Sequence, residues 1–212
     1  MVKIWSADDP KAGLMARKRA ALVEAATRHF LEHGYAESSV NRIADDAGVS
    51  IKTLYRHFDN KDDLFAAVMK AVCEANAAPD PQTADAKRAA RSLAYIGREY
   101  LRHRLTDEQL ALYRVVTRDA HRFPELGRIY REQIVDSRER VFAAYVAAWA
   151  AQTQRKLRDA PALAAAYAGL LEQGLVDDVL HGVRQATDGE IRKRADASAK
   201  LLTAMLDAGA FV

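Results

Sequence analysis

The sequence predicts an all-α protein with a small N-terminal module and a larger C-terminal one. Three observations point there. Gly and Pro are scarce, 10 and 5 of 212 residues, so few positions interrupt a helix. Half the residues are apolar yet only 8% are aromatic, and much of the remainder is Ala, a strong helix former. Apolar residues recur three and four apart, and no alternating run marks a strand. About nine helices are readable.

Composition also excludes classes. The chain is too apolar and too evenly charged, with 32 basic and 29 acidic residues, to stay disordered. The formal charge of +3 is too small to identify a nucleic-acid partner, so the placement of the positive residues matters more. The single cysteine, Cys73, excludes a disulfide scaffold and a cysteine-based zinc site and suits a reducing compartment. The longest uncharged apolar run, Val141 to Ala151, falls short of the ~20 residues of a spanning helix. Met1 to Pro10 carries Asp8 and Asp9 and no hydrophobic stretch of a secretory leader. A soluble, cytoplasmic protein without membrane association is expected.

The elements follow in order. The first ten or so residues read as a loose arm, and Lys11, Arg17, Lys18 and Arg19 make its end basic. A helix runs to about His33 with Leu22, Val23, Ala26 and Phe30 on one face, and Gly34 stops it. Ser38 or Ser39 caps a short helix from Val40 to Ala47. Gly48-Val49 is a tight turn, Ser50 caps a helix from Ile51 to Phe58, and Asn60 caps a fourth through Val72, with Asp62 and Asp63 in its first turn. Pro79 and Pro81 break the chain at 77–82. Beyond them, helices are expected from Thr83 to Arg104, from a Thr106/Gln109 capping box to His121, from Glu125 to Leu157 with a break near its start, from Asp159-Pro161 to Gly182, and from a Thr187/Glu190 capping box to Ala208. The domains are therefore 1–60, arm and head, and 61–212, with 61–77 as connecting helix.

The segment from Val40 to Phe58 has the requirements of a helix-turn-helix. Val40, Ile43, Ala44 and Ala47 give the first helix a small apolar inner face, Gly48 supplies a left-handed turn, and Val49 plugs the interhelical angle. Leu54 and Phe58 turn inward as an i, i+4 pair, which leaves Lys52, Thr53 and Arg56 outward. In such units the outward face of the second helix enters the major groove. Lys52 and Arg56 taken alone are an ordinary solvated face; within the full motif they read as a DNA face. Arg17, Lys18 and Arg19 are balanced between DNA contact and solvation.

Ala25-Ala26, Phe30, Gly34-Tyr35, Ser39-Val40, Ile43-Ala44, Ala47-Gly48-Val49-Ser50, Thr53-Leu54-Tyr55, His57-Phe58, Lys61 and Leu64 stand at the spacings of the TetR family of transcriptional regulators, which residues 15–70 resemble. Phe123-Pro124-Glu125-Leu126 resembles one subgroup of that family's C-terminal domains. The resemblance implies an N-terminal three-helix helix-turn-helix DNA-binding domain and a C-terminal helical ligand-binding and dimerisation domain. It implies a homodimer on a palindromic operator of double-stranded DNA, acting as a repressor that a small molecule releases. By position, Ser39, Asn41, Tyr55, His57 and Lys61 match phosphate contacts, and Lys52, Thr53 and Arg56 match groove contacts; Arg42 and Ser50 complete the expected DNA set. Ile51 and Lys52 stand where the family commonly has Lys and Gly, so the operator is not transferable from a relative. His29 occupies a position that is more usually apolar.

The C-terminal domain carries aromatics at helical spacing, most of them expected core. A pocket between helices would draw on Tyr113, His121, Phe123, Trp149, Tyr167 and Gln173. No lysine or arginine cluster is visible there, so a small hydrophobic or aromatic ligand is expected. The last helices offer two apolar faces for a dimer interface, Leu163, Tyr167, Leu170, Leu171, Gly174 and Val179 on one and Leu201, Leu202, Met205 and Leu206 on the other. No catalytic constellation and no cofactor are expected, because the sequence shows no nucleophile–base arrangement and no Gly-rich phosphate loop. No metal site is expected either, since His29 and His33 lack a third ligand and Asp177, Asp178 and His181 read as a polar patch. The competing readings are a DNA-binding protein without a small inducer, constitutive or partner-regulated, an activator, and a helical enzyme or small-molecule carrier.

Overall fold

The computed structural model describes residues 10–75 and 92–210, and every described regular element is helical. The helices are α1 (Pro10–Glu37), α2 (Val40–Asp46), α3 (Ile51–His57), α4 (Lys61–Ala75), α5 (Leu93–Arg104), α6 (Asp107–Asp119) and α7 (Pro124–Tyr130). A π-turn, Arg131–Val135, leads into α8 (Asp136–Gln152), followed by α9 (Ala160–Glu172), α10 (Leu175–Leu180) and α11 (Asp188–Asp207). None of the described helices is long and apolar enough to cross a membrane. The expected loose arm through Asp9, the proline break at 77–82 and the helix start at Thr83 lie outside the described residues.

Packing divides the chain into two compact units. The first comprises 1–75 and 111–134, the second 76–110 and 135–212. The division differs from a boundary at residue 60, because α4 packs on α1 and on α7 within the first unit. Leu22, Phe30, Ile43, Leu54, Phe58, Leu64, Phe65 and Leu126 are fully buried there. The rings of Phe30, Tyr35, Phe65 and Phe123 meet with centroids 5.2–5.7 Å apart, each large ring worth about 1.5–3 kcal/mol on burial.

Local signals explain most helix ends. Helix α1 extends through the basic segment to Pro10, so residues 10–19 are helical rather than loose. At Gly34 the backbone leaves helical geometry (φ 83°, ψ 177°), which kinks the helix at the position expected to stop it. Ser39 stands at the N-cap of α2, but its side chain makes no capping bond. The Ser38 hydroxyl instead reaches the carbonyls of His29 and Gly34, at 2.9 and 2.6 Å.

The second unit packs α5 against α8, α9 and α11. Its core includes Leu93, Tyr100, Phe142, Val146, Trp149, Leu163, Tyr167, Leu171, Leu202 and Leu206. Helix α5 approaches α9 at Gly97: a Cβ there would overlap the Tyr167 hydroxyl and meet Leu171 Cδ2 at 3.0 Å. The Tyr167 hydroxyl donates to Leu93 O at 2.7 Å, pinning the same crossing.

Three expected elements differ. The long helix over 125–157 has the expected break near its start, at the π-turn, but ends at Gln152 rather than Leu157. The helix over 159–182 is interrupted at Gln173–Gly174, where Gln173 (ψ 115°) and Gly174 (φ 73°) depart from helical backbone. The Thr106/Gln109 box is half made. Gln109 N donates to Thr106 Oγ1 at 3.4 Å, but the Gln109 amide is fully buried and returns no bond. The Thr187/Glu190 box is complete.

Candidate nucleic-acid interface

The helix-turn-helix is set by its inner face. Ile43 and Ala44 of α2 and Leu54 of α3 are buried, as is Phe58 just past α3. Val49 N donates to Ala44 O at 3.0 Å and Gly48 N to Asp45 O at 2.9 Å, closing the turn with Gly48 at φ 66°. Ser50 caps α3 by accepting from Thr53 N at 3.2 Å. These contacts oblige the opposite face of α3 outward. Lys52, Tyr55 and Arg56 are exposed, and Ile51 is partly so. Tyr55 is 50% exposed, which removes it from the core.

Helix α1 adds to this face. The Arg19 guanidinium lies 5.0 Å from the Phe58 ring centroid, a cation–π contact that brings the basic end of α1 to the end of α3. Burial, then the charges of Arg19, Arg56 and Lys18, push the His57 imidazole below its ordinary pKa of 6.5. His57 Nε2 is buried with no hydrogen-bond partner. Arg19, Arg56 and Lys18 near His57 give this face a positive potential.

The remaining DNA-set residues surround α3. Asn41 and Arg42 are exposed on α2, and Ser39 and Thr53 are half-buried. Lys61 opens α4, whose first turn also carries Asp62 and Asp63. Its Nζ lies 4.4 Å from the Tyr35 ring centroid and donates to Ala36 O at 3.4 Å. Burial lowers the Lys61 pKa, against the opposing charges of Asp119 and Asp62. His29, unusual at its position, faces a partner: its Nε2 is 2.6 Å from Asp46 Oδ2 at the end of α2.

Sequence reasoning missed Arg118 and Asp119. Asp119 Oδ2 accepts from Tyr35 N at 2.8 Å and Ala36 N at 3.2 Å, across more than eighty residues of sequence. Nothing local to residue 119 signals that pairing.

The expected pocket residues are divided between the two units. Tyr113, His121 and Phe123 belong to the first unit, and Trp149, Tyr167 and Gln173 to the second. Phe123 packs on Tyr35, His121 and Gln173 are exposed, and Tyr167 and Trp149 are core. The second unit also holds a buried ion pair. Arg104 is 4% exposed, with its Nε 3.6 Å from Glu172 Oε1. The Tyr100 hydroxyl also donates to Glu172. Burial and the charges of Arg138 and Arg104 lower the His103 pKa.

Of the expected dimer-face residues, Leu163, Tyr167, Leu171, Leu202 and Leu206 are buried within their own chain. Leu170, Gly174, Val179, Leu201 and Met205 retain exposure. Among the described residues no group of three or more His, Cys, Asp or Glu is placed to hold a metal ion.

Comparison with known proteins decides the family. The model of bacterial regulatory proteins of the tetR family matches residues 22–68, and that of the C-terminal domain of AefR-like transcriptional repressors matches residues 91–205. The chain belongs to the TetR family. TetR-family members are DNA-binding transcriptional regulators, often repressors, rather than enzymes, and they act as dimers. A TetR-family regulator from Mesorhizobium loti is similar in structure, with a TM-score of 0.74 and 25% identity over 90% of this chain and 97% of its own. The flavonoid-responsive regulator FrrA superposes with a TM-score of 0.73 and 27% identity, over 89% of this chain and 96% of its own. In sequence, the regulator HbdR of Aromatoleum sp. (strain CIB) is 36% identical over 66 residues, 31% of this chain. That match spans only 28% of HbdR's length.

Proposed function

We propose that the chain is a transcriptional repressor that binds a palindromic operator as a homodimer and is released by a small hydrophobic or aromatic ligand. The observation that carries the DNA part is the exposed basic face of α3, Lys52 and Arg56, flanked by Arg19 and His57. Arg56 has the reach and planar donors to read a guanine edge, worth about 1–3 kcal/mol of discrimination. Lys61, Ser39, Asn41, Arg42, Ser50, Thr53, Tyr55 and His57 would hold phosphates or fix register around it. Repression is supported by the match to AefR-like repressors over 91–205. An aromatic ligand is supported by the likeness to a regulator described as flavonoid-responsive. The dimer face would be the outward row Leu170, Gly174, Val179, Leu201 and Met205.

Selection of bound duplexes from a random pool, with purified protein at a stated salt concentration, tests this reading. Enrichment of a palindrome supports a sequence-specific dimer and supplies the operator for a ligand screen. Weak, salt-sensitive binding with no enriched sequence contradicts it.

A further inference from the structure

Asp119, at the end of α6, is 4% exposed. A buried carboxylate is unfavourable unless it is fully partnered, and this one is. Its Oδ2 accepts from the backbone N–H of Tyr35 at 2.8 Å and of Ala36 at 3.2 Å. Arg118 braces it, with Nε 3.0 Å from Oδ1 and Nη2 3.1 Å from Oδ2, and Nη2 also donates to His33 O at 3.0 Å. The guanidinium reaches that carbonyl only because residue 34 is glycine, since a Cβ at Gly34 would overlap it. All these residues lie in the first unit.

The two residues whose N–H groups Asp119 fixes are the two that hold Lys61. Tyr35 lays its ring 4.4 Å from the Lys61 ammonium, and its hydroxyl donates to the neighbouring Asp62. Ala36 offers Lys61 its carbonyl oxygen at 3.4 Å. The pathway from Asp119 to the start of α4 is therefore two consecutive residues and no intervening element.

We propose that Asp119 is a positioning residue for DNA binding, which fixes Tyr35 and Ala36 and through them aims Lys61 at the operator backbone. The inference rests on the DNA-binding reading of Lys61 given above. An ammonium held in place loses less freedom when a phosphate arrives than one that must be ordered at that moment.

The test is a double-mutant cycle with the full chain on the selected duplex. Asp119→Ala and Lys61→Ala are each expected to weaken binding about fivefold or more. If Asp119 acts through Lys61, the double variant is within about twofold of Lys61→Ala alone, whereas Asp119→Ala and Arg56→Ala multiply. Should Asp119→Ala fail to fold, Asp119→Asn keeps the volume and one acceptor oxygen and is expected to show the same non-additivity with smaller amplitude. A second readout needs no DNA. Amide hydrogen exchange at Tyr35 and Ala36, the two N–H groups that Asp119 accepts from, is expected to quicken in Asp119→Ala. Multiplicative effects of Asp119 and Lys61, or unchanged exchange at those two amides, overturn the proposal. If the natural chain selects no duplex while that exchange still quickens, the DNA reading falls and the fixing of Tyr35 and Ala36 by Asp119 stands.

Discussion

Lys52, Tyr55 and Arg56 stand exposed on α3, whereas Tyr100, Arg104 and Gln109 are buried in the second unit. In the first unit Ile43, Leu54 and Phe58 are buried beneath the helix-turn-helix, which leaves the polar residues of α3 outward. Both units bury polar groups, and in the second Glu172 answers Tyr100 and Arg104. A surface that reads a duplex needs only a rigid, correctly spaced helix. An interior ion pair needs polar groups that distant elements bring together.

The sharpest contrast lies between inward and outward residues of the second unit. Leu163 is fully buried, and Leu163→Ala is expected to cost about 2–5 kcal/mol of stability, read by urea denaturation. Leu201 is 50% exposed, so Leu201→Glu should shift stability by no more than about 0.5 kcal/mol. It should nonetheless move the sedimenting species from dimer to monomer. Strong destabilisation without dissociation would place Leu201 in the core instead.

A smaller effect is expected at the α5–α9 crossing. Gly97→Ala inserts a methyl group where the Tyr167 hydroxyl sits, at about 1–3 kcal/mol. The accompanying loss of Tm should leave the exposed face of α3 unaffected, so binding measured below the transition is the control.

The first unit is expected to be pH-sensitive in two separate windows. His57 has a lowered pKa in the folded chain, so unfolding takes up a proton and stability falls as pH drops through 6.5. Asp119 behaves differently in origin. Burial alone would raise its pKa, but the bonds from Arg118, Ala36 and Tyr35 outweigh that and lower it from 3.8. Its contribution is present above 3.8 and is lost as pH falls through the lower folded value. His57→Gln should shrink the upper window of a Tm–pH profile, leaving there the contribution of His103, and should not change the lower one. Phosphate beside His57 would favour the imidazolium, so duplex affinity should also rise as pH falls through that window.

The smallest effect compares two serines. Ser50→Ala removes a capping bond, at about 1 kcal/mol. Ser39→Ala removes none, and its stability change should stay within about 0.5 kcal/mol. Equal losses in chemical denaturation would contradict the assignment of caps.

These comparisons explain what was legible in the sequence. The turn at Gly48, the cap at Ser50 and the inward pair Leu54 and Phe58 are local signals, separated by a handful of residues, and the structure reproduces them. The bond from Asp119 to Tyr35 and Ala36 joins segments more than eighty residues apart, which periodicity does not encode. The same limit hid the meeting of Arg104 with Glu172. Leu163, Tyr167 and Leu170 share an apolar stretch in the sequence, and only packing against α5, α8 and α11 decides which of them face the core. Gln109 has the right spacing for a capping box, but its burial keeps the side chain from returning the bond.

The most direct test of the DNA-reading face is to compare the natural chain with Arg56→Ala on the selected palindrome and on a scrambled duplex at one salt concentration. Arg56→Ala is expected to keep its Tm and its dimer while losing about 1–3 kcal/mol of preference for the palindrome. Undiminished preference in that variant would contradict the assignment of α3 as the reading helix through Arg56.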